Sequence, residues 1–201
     1  MAKEYREFRG VEGLVIAKML TDDTDGATWE APKEWAGVSE ISKKTEVSAA
    51  TKYYDNIPAI VIQSEGADEI TLACSVVDLE MDAYISGKTY DEALGAYIDG
   101  EAEQNYFAIG YITKDTKGAK RYVWRYKGTI SKGDETYITE DDGTESNGVE
   151  YTFTGIKTTH AFTKGGQAKA LIVDASLDKA NVTTFFDAVT TPDTLQAKSQ
   201  G

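Results

Sequence analysis

The sequence predicts a mainly β protein, an antiparallel β-sandwich or barrel-like domain with one or two short flanking helices and a long connecting loop. Three observations point there. Strand patterns come in runs instead of alternating with helices, which favours antiparallel layers over a doubly wound fold. The 12 tyrosines and the many Val, Ile and Thr residues suit a pleated surface. In "KRYVWRYKGTI", Tyr122, Trp124 and Tyr126 recur at every second position with Arg121, Val123, Arg125 and Lys127 between them, so one face of a strand is aromatic and the other mostly basic.

The elements follow in order. "VEGLVIAKML" reads as a strand buried on both sides, with Leu14 and Ile16 on one face and Val15, Ala17 and Met19 on the other. The turn "TDDTDG" ends it. The segment from Ser39 to Asn56 alternates weakly and has no apolar stripe, so it reads as a long loop over 39–56. "AIVIQS" and "EITLACSVV" read as two strands joined by a turn at "EGAD". "DLEMDAYISG" has helix signals: Asp78 to cap it, Glu80 and Asp82 in the first turn, Gly87 at the exit. A second short helix is expected in "TYDEALGAYIDG". "NYFAIGYIT" and "RYVWRYKGTI" resume the strand pattern around "KDTKGAK". The acidic stretch 131–148 reads as a long exposed hairpin tip. "VEYTFTGIKTTHAF" and "AKALIVDAS" form the next expected hairpin, turning at "TKGGQ". "NVTTFFDAV" has Asn181 as a cap and Val182, Phe185, Phe186 and Val189 at helical spacing. The expected organisation is one domain over 1–189 and a flexible tail over 190–201.

Composition narrows the function. The 201 residues suit one domain. With 21 Lys plus Arg against 34 Asp plus Glu, the formal charge is -13, which on average repels phosphate and disfavours nucleic-acid binding. Cys74 has no second cysteine to pair with and shares a strand face with Ile70 and Leu72, so it packs as a small apolar residue. "MAKEYREFRG" has no apolar core of signal-peptide length. Synthesis and folding in a reducing cytoplasm are therefore expected, away from any membrane.

No catalytic signature stands out. His160 is the only histidine, and no Gly-x-Ser-x-Gly turn occurs. One Cys and one His do not make a zinc site without carboxylates. An EF-hand loop with Gly26 at its sixth position ends at Pro32, where a bidentate Glu is required; with Gly143 in that role it starts at Ile138. No catalytic, cofactor-binding or metal-binding residue is expected, and no cofactor. Trp29, Trp35 and Trp124 keep a carbohydrate-binding sandwich open as an alternative, provided they are exposed.

Collinear words covering roughly residues 11–189 carry a resemblance: "VEGLVIAKML", "AATKYYDN", "LACSVVDLEMDAYISG", "YFAIGYI", "RYVWRYKGTIS", "YTFTG" and "FFDAV". In this order the chain resembles the major tail proteins that build the tail tube of long, non-contractile-tailed bacteriophages of Gram-positive hosts. The resemblance implies a β-sandwich subunit, made in the host bacterial cytoplasm, that closes into hexameric rings. The rings stack into a virion tube through which DNA passes without specific binding. It also implies partners in the tail, such as the tape measure and terminator proteins. Within the 39–56 loop, Tyr53 and Tyr54 are expected to anchor an interface with an adjacent ring, with Asp55 and Asn56 making the following turn. The negative charge would keep DNA from adhering during ejection. A tail terminator or a head-completion protein is the alternative within the same class.

Overall fold

The computed structural model describes residues 5–137, 139 and 147–198. Strands β1 (Phe8–Asp22), β2 (Ala27–Trp29), β3 (Lys33–Glu34), β4 (Val38–Tyr54) and β5 (Ile57–Cys74) precede helix α1 (Leu79–Ser86). Strands β6 (Thr89–Asp91), β7 (Ala96–Ile98), β8 (Phe107–Asp115), β9 (Lys120–Lys132), β10 (Val149–Ile156) and β11 (Ala170–Asp174) follow. Nine of them form one antiparallel sheet in the order β2-β1-β8-β9-β10-β5-β4, with β3 added to β1 and β11 added to β9. The sheet curls until Cα atoms of β1 and β4 lie within 8 Å of each other. Among the described residues, no helix is long and apolar enough to cross a membrane.

Both faces of the curled sheet carry a core. On β1, Leu14 and Ile16 enter the first core, whereas Val15 and Ala17 face the second, as alternation predicts for a strand covered on both sides. The first core gathers Trp35, Ile70, Leu72, Phe107, Ile109, Tyr151 and Phe153, with Ile85 of α1 against it. Trp124 and Tyr126 are wholly buried in the second, together with Phe162, Phe185 and Val189. The aromatic face of β9 is therefore interior. Its polar atoms are satisfied locally: Trp124 Nε1 donates to the Phe185 carbonyl at 2.9 Å and the Tyr126 hydroxyl to the Thr190 carbonyl at 3.1 Å.

Helix α1 is built as its sequence signals require. Asp78 accepts a hydrogen bond from the Met81 amide at 2.8 Å, and Gly87 ends the helix at φ 69°, a left-handed conformation that favours glycine. Cys74 is buried, and desolvation pushes its thiol up to about 11.

Several expectations are corrected. The 39–56 loop is strand β4, and β5 is one continuous strand in which "EGAD" is a bulge, not a turn. The weak alternation of β4 follows from its environment, since a ribbon wet on both faces needs no apolar face. "TYDEALGAYIDG" forms the β6-β7 hairpin, where the Asp91 carboxylate accepts from the Ala93 and Leu94 amides and so stabilises a turn in place of a helix. "NVTTFFDAV" forms successive turns: Asn181 does accept from the Thr183 amide at 3.1 Å, but the β-branched run Val182, Thr183 and Thr184 disfavours continuing as a helix. β10 and β11 do not pair with each other; β9 is long enough to pair with β11 along its first half and β10 along its second. The segment 190–198 is held, not loose, with Thr191 buried and Leu195 packed on the second core. β9 and β10 do form the expected hairpin, whose acidic tip at 138 and 140–146 lies outside the described residues.

Candidate functional site

The most unusual feature is the outer half of the β4-β5 hairpin. From Glu46 to Gly66 every residue is exposed, on both faces of the ribbon. Its register runs from Val47 opposite Glu65 to Tyr54 opposite Ile57, so at about 3.3 Å per residue the arm projects roughly 25–30 Å. Asp55 and Asn56 close it as a two-residue turn with φ 51° and 64°, the left-handed pair that a type I′ hairpin turn requires and that Asp and Asn tolerate better than other side chains with a Cβ.

Paired positions point to the same face. Ser48 and Ser64, whose hydroxyls are 2.7 Å apart, begin one face, which continues through Ala50 with Ile62, Lys52 with Ile60, and Tyr54 with Ile57. Val47, Thr51, Val61 and Tyr53 stand on the other. Tyr53, Tyr54, Ile57 and Val61 are each more than 60% exposed. Between Val47 and Ser64 only Lys52 and Asp55 are charged, so the arm is nearly neutral and largely apolar in a chain of net charge -13.

Among the described residues, no strand pairs with either edge of the arm. β4 is the last strand of the sheet, and β10 stops pairing with β5 at Asp68. Pro58, which lacks an amide hydrogen, is tolerated in β5 because it lies at such an edge, beside the bulge at Ala59. A two-stranded ribbon without a core behind it is marginal in water.

The base of the arm, by contrast, is locked. Asp68, 4% exposed, lies just beyond the bulge at Gly66 and Ala67. It accepts from Arg125 Nη1 at 3.1 Å, Lys169 Nζ at 3.0 Å and the Thr45 hydroxyl at 2.9 Å, with Lys43 Nζ at 3.4 Å. Desolvation alone would raise its carboxyl. The hydrogen bonds from Lys169 and Thr45 and the charge of Lys43 overcome that and hold it below its ordinary range. Arg125 thus belongs to the basic face of β9, and its role is to hold the arm's root to the sheet.

All four site residues expected from the sequence, Tyr53, Tyr54, Asp55 and Asn56, meet at the tip of this arm. The sequence reading places a strand at "AIVIQS" but does not count Ile57, Ile60, Val61 and Ile62 among the contact residues, although they supply more of the apolar surface. The available signal was a two-residue turn, "DN", between two β-rich runs.

The other candidates fare differently. Trp124 and Trp35 are buried, and Trp29 is half-buried with its Nε1 donating to the Tyr126 carbonyl at 3.0 Å, so none offers an open platform for a sugar ring. His160 packs edge-on to Phe162, and its amide donates to Asp22 at 3.0 Å. Asp22 also takes Lys127 Nζ at 2.6 Å and the Thr159 amide, which makes it a structural tie between β1 and the segment after β10. Among the described residues, no group of three or more His, Cys, Asp or Glu side chains is placed to hold a metal ion. Compared with known proteins, the chain matches no protein-family model and no curated protein.

Proposed function

We propose that this protein is a structural virion protein, the major tail tube subunit of a long, non-contractile-tailed bacteriophage. Its copies close into hexameric rings, and the rings stack into the conduit through which DNA is ejected. The arm is the observation that carries this reading. A neutral, apolar ribbon with two open edges is a hazard for a solitary protein, because each edge templates another strand. A symmetric assembly uses the same groups productively by covering them. Transfer of Tyr54, Ile57, Ile60 and Ile62 from water is worth about 1–2 kcal/mol each before the cost of association.

The subunit acts by self-association alone, through strand edges and the arm, with no catalysis and no cofactor. Its partners are further copies of itself, the tape measure and the terminator. The negative charge supports a lumen to which DNA does not adhere, because cumulative phosphate contacts would slow its passage. An arm about 25–30 Å long favours stacking over a tail terminator or head-completion protein, which would form one ring.

Negative-stain electron microscopy at high protein concentration and raised salt tests the reading, since salt screens repulsion between acidic subunits. Hollow tubes with six-fold end views are expected. Single rings that never stack would favour the terminator, and a protein that stays monomeric with preformed tube ends added would refute both.

A further inference from the structure

Where β1 and β4 face each other at the open end of the curled sheet lies a cavity of about 420 Å³. Its apolar lining includes Phe8, Ile41, Tyr111 and Ile172, and its charged lining is cationic in balance, with Lys43, Arg121 and Arg125 against the carboxylate of Glu40. Phe8 and Ile172 are 70% and 55% exposed, so the rim itself is wet and apolar. Arg125 and Lys43 are engaged by Asp68, yet the buried Arg125 Nε–H has no acceptor among the described residues. Arg121 is held only loosely, 4.0 Å from Asp174 and 5.2 Å from the Phe8 ring, with its side chain about half exposed. An apolar group carrying a carboxylate beside it fits this chemistry.

The tip of the arm is such a group. Tyr54 and Ile57 are opposed on one face, and the exposed Asp55 follows Tyr54 directly. We infer that the cavity receives the arm tip of a second copy, with Tyr54 and Ile57 against Phe8 and Ile172 and Asp55 facing Arg121. This rests on the tube reading and names the receptor of the arm within it.

A copy's own arm does not reach its own cavity. β4 lines the cavity through Ile41 and Lys43 and then runs on to Tyr54, about 35 Å further at 3.3 Å per residue. The contact therefore joins the tip of one copy to the cavity of another. In a stacked tube it repeats head to tail and propagates from copy to copy, whereas a reciprocal two-fold exchange of tips would end at a dimer and give no ladder beyond it.

Cysteine crosslinking of the full chain tests this. Tyr54→Cys with Ile172→Cys in one chain places a thiol on each side of the contact, and the native Cys74 is buried. Mild oxidation of assembled protein should give a ladder of disulfide-linked oligomers on a non-reducing gel. Tyr54→Cys with Leu94→Cys, at an exposed hairpin tip elsewhere, should give none. Tubes without a ladder, or equal ladders from both pairs, would overturn the cavity as receptor and leave the tube reading standing; failure of the unmodified protein to assemble would overturn both. A second measurement covers variants that do not assemble. Asp55→Lys and Arg121→Glu should each raise the concentration needed for assembly roughly tenfold, and combining them should restore it. A double variant no better than the singles would overturn the pairing. So would a small amphipathic anion that native mass spectrometry finds still bound in the assembled tubes.

Discussion

Arg125 and Asp68 form an ion pair 3.1 Å long with both side chains at least nine-tenths buried, joining the middle of β9 to the root of the arm. Replacing Asp68 with Asn leaves Arg125 buried without its counter-charge, a loss that costs roughly 3 kcal/mol. Chemical denaturation should show that loss, and amide exchange should quicken at Thr45, Glu46 and Ala67 more than at Leu72, which pairs deep in the sheet. Uniform exchange changes would mean that the pair does not anchor the arm in particular.

The same carboxylate sets an acid response. The Asp68 carboxyl lies below its unfolded value of 3.8, and the Asp22 carboxyl is likewise lowered, burial opposing and Lys127 with the His160 and Thr159 amides prevailing. A depressed folded value means that the stabilisation is complete above the unfolded value and disappears as pH falls through the folded one. Denaturant midpoints should therefore hold from pH 7 to about 5 and fall steeply below pH 4, with Asp68→Asn flattening that fall.

Gly87 terminates α1 at φ 69°, and a Cβ there would lie 2.0 Å from the Glu103 carbonyl oxygen. Strain and overlap act together, so Gly87→Ala should cost at least about 1–2 kcal/mol in thermal or chemical denaturation. A neutral outcome would place the helix terminus elsewhere.

The Tyr151 hydroxyl is buried and finds no hydrogen-bond partner among the described residues, while its ring packs 5.1 Å from Trp35. Removing an unsatisfied hydroxyl and keeping the ring should be neutral or stabilising by up to about 1 kcal/mol. Tyr151→Phe should therefore not lower the melting temperature; a clear loss would reveal a bound water or a partner for that oxygen.

Deleting the arm separates assembly from folding. Joining Glu46 to Glu65 through a short turn removes side chains that contribute nothing to either core. The melting temperature should change little, while tube formation should be lost. A variant that still builds tubes would remove the arm from the stacking contact.

What was readable from the chain alone had local causes. Alternation placed Leu14 and Ile16 opposite Val15 and Ala17, Asp78 and Gly87 bounded α1, and the parity of Tyr122, Trp124 and Tyr126 put all three on one face. The tip residues Tyr53 to Asn56 were singled out through the resemblance to tail tube subunits, and the fold places them at a two-residue turn. The arm itself was not legible, because alternation reports a boundary between core and water and this ribbon has water on both sides.

Long-range contacts settled the rest. That β9 pairs with β11 in its first half and β10 in its second, that "VTTFF" turns instead of coiling, and that Arg125 serves Asp68 all depend on residues far apart in the chain. Local propensity differs by fractions of a kcal/mol per residue, so the packing of Phe185 and Trp124, worth several kcal/mol together, overrides it. The amino-acid order determined which segments are extended, which face of each central strand is apolar and how acidic the whole is. Only the tertiary structure decided which edges remain open and which carboxylate meets which cation, because burial and pairing are properties of neighbours brought together by the fold.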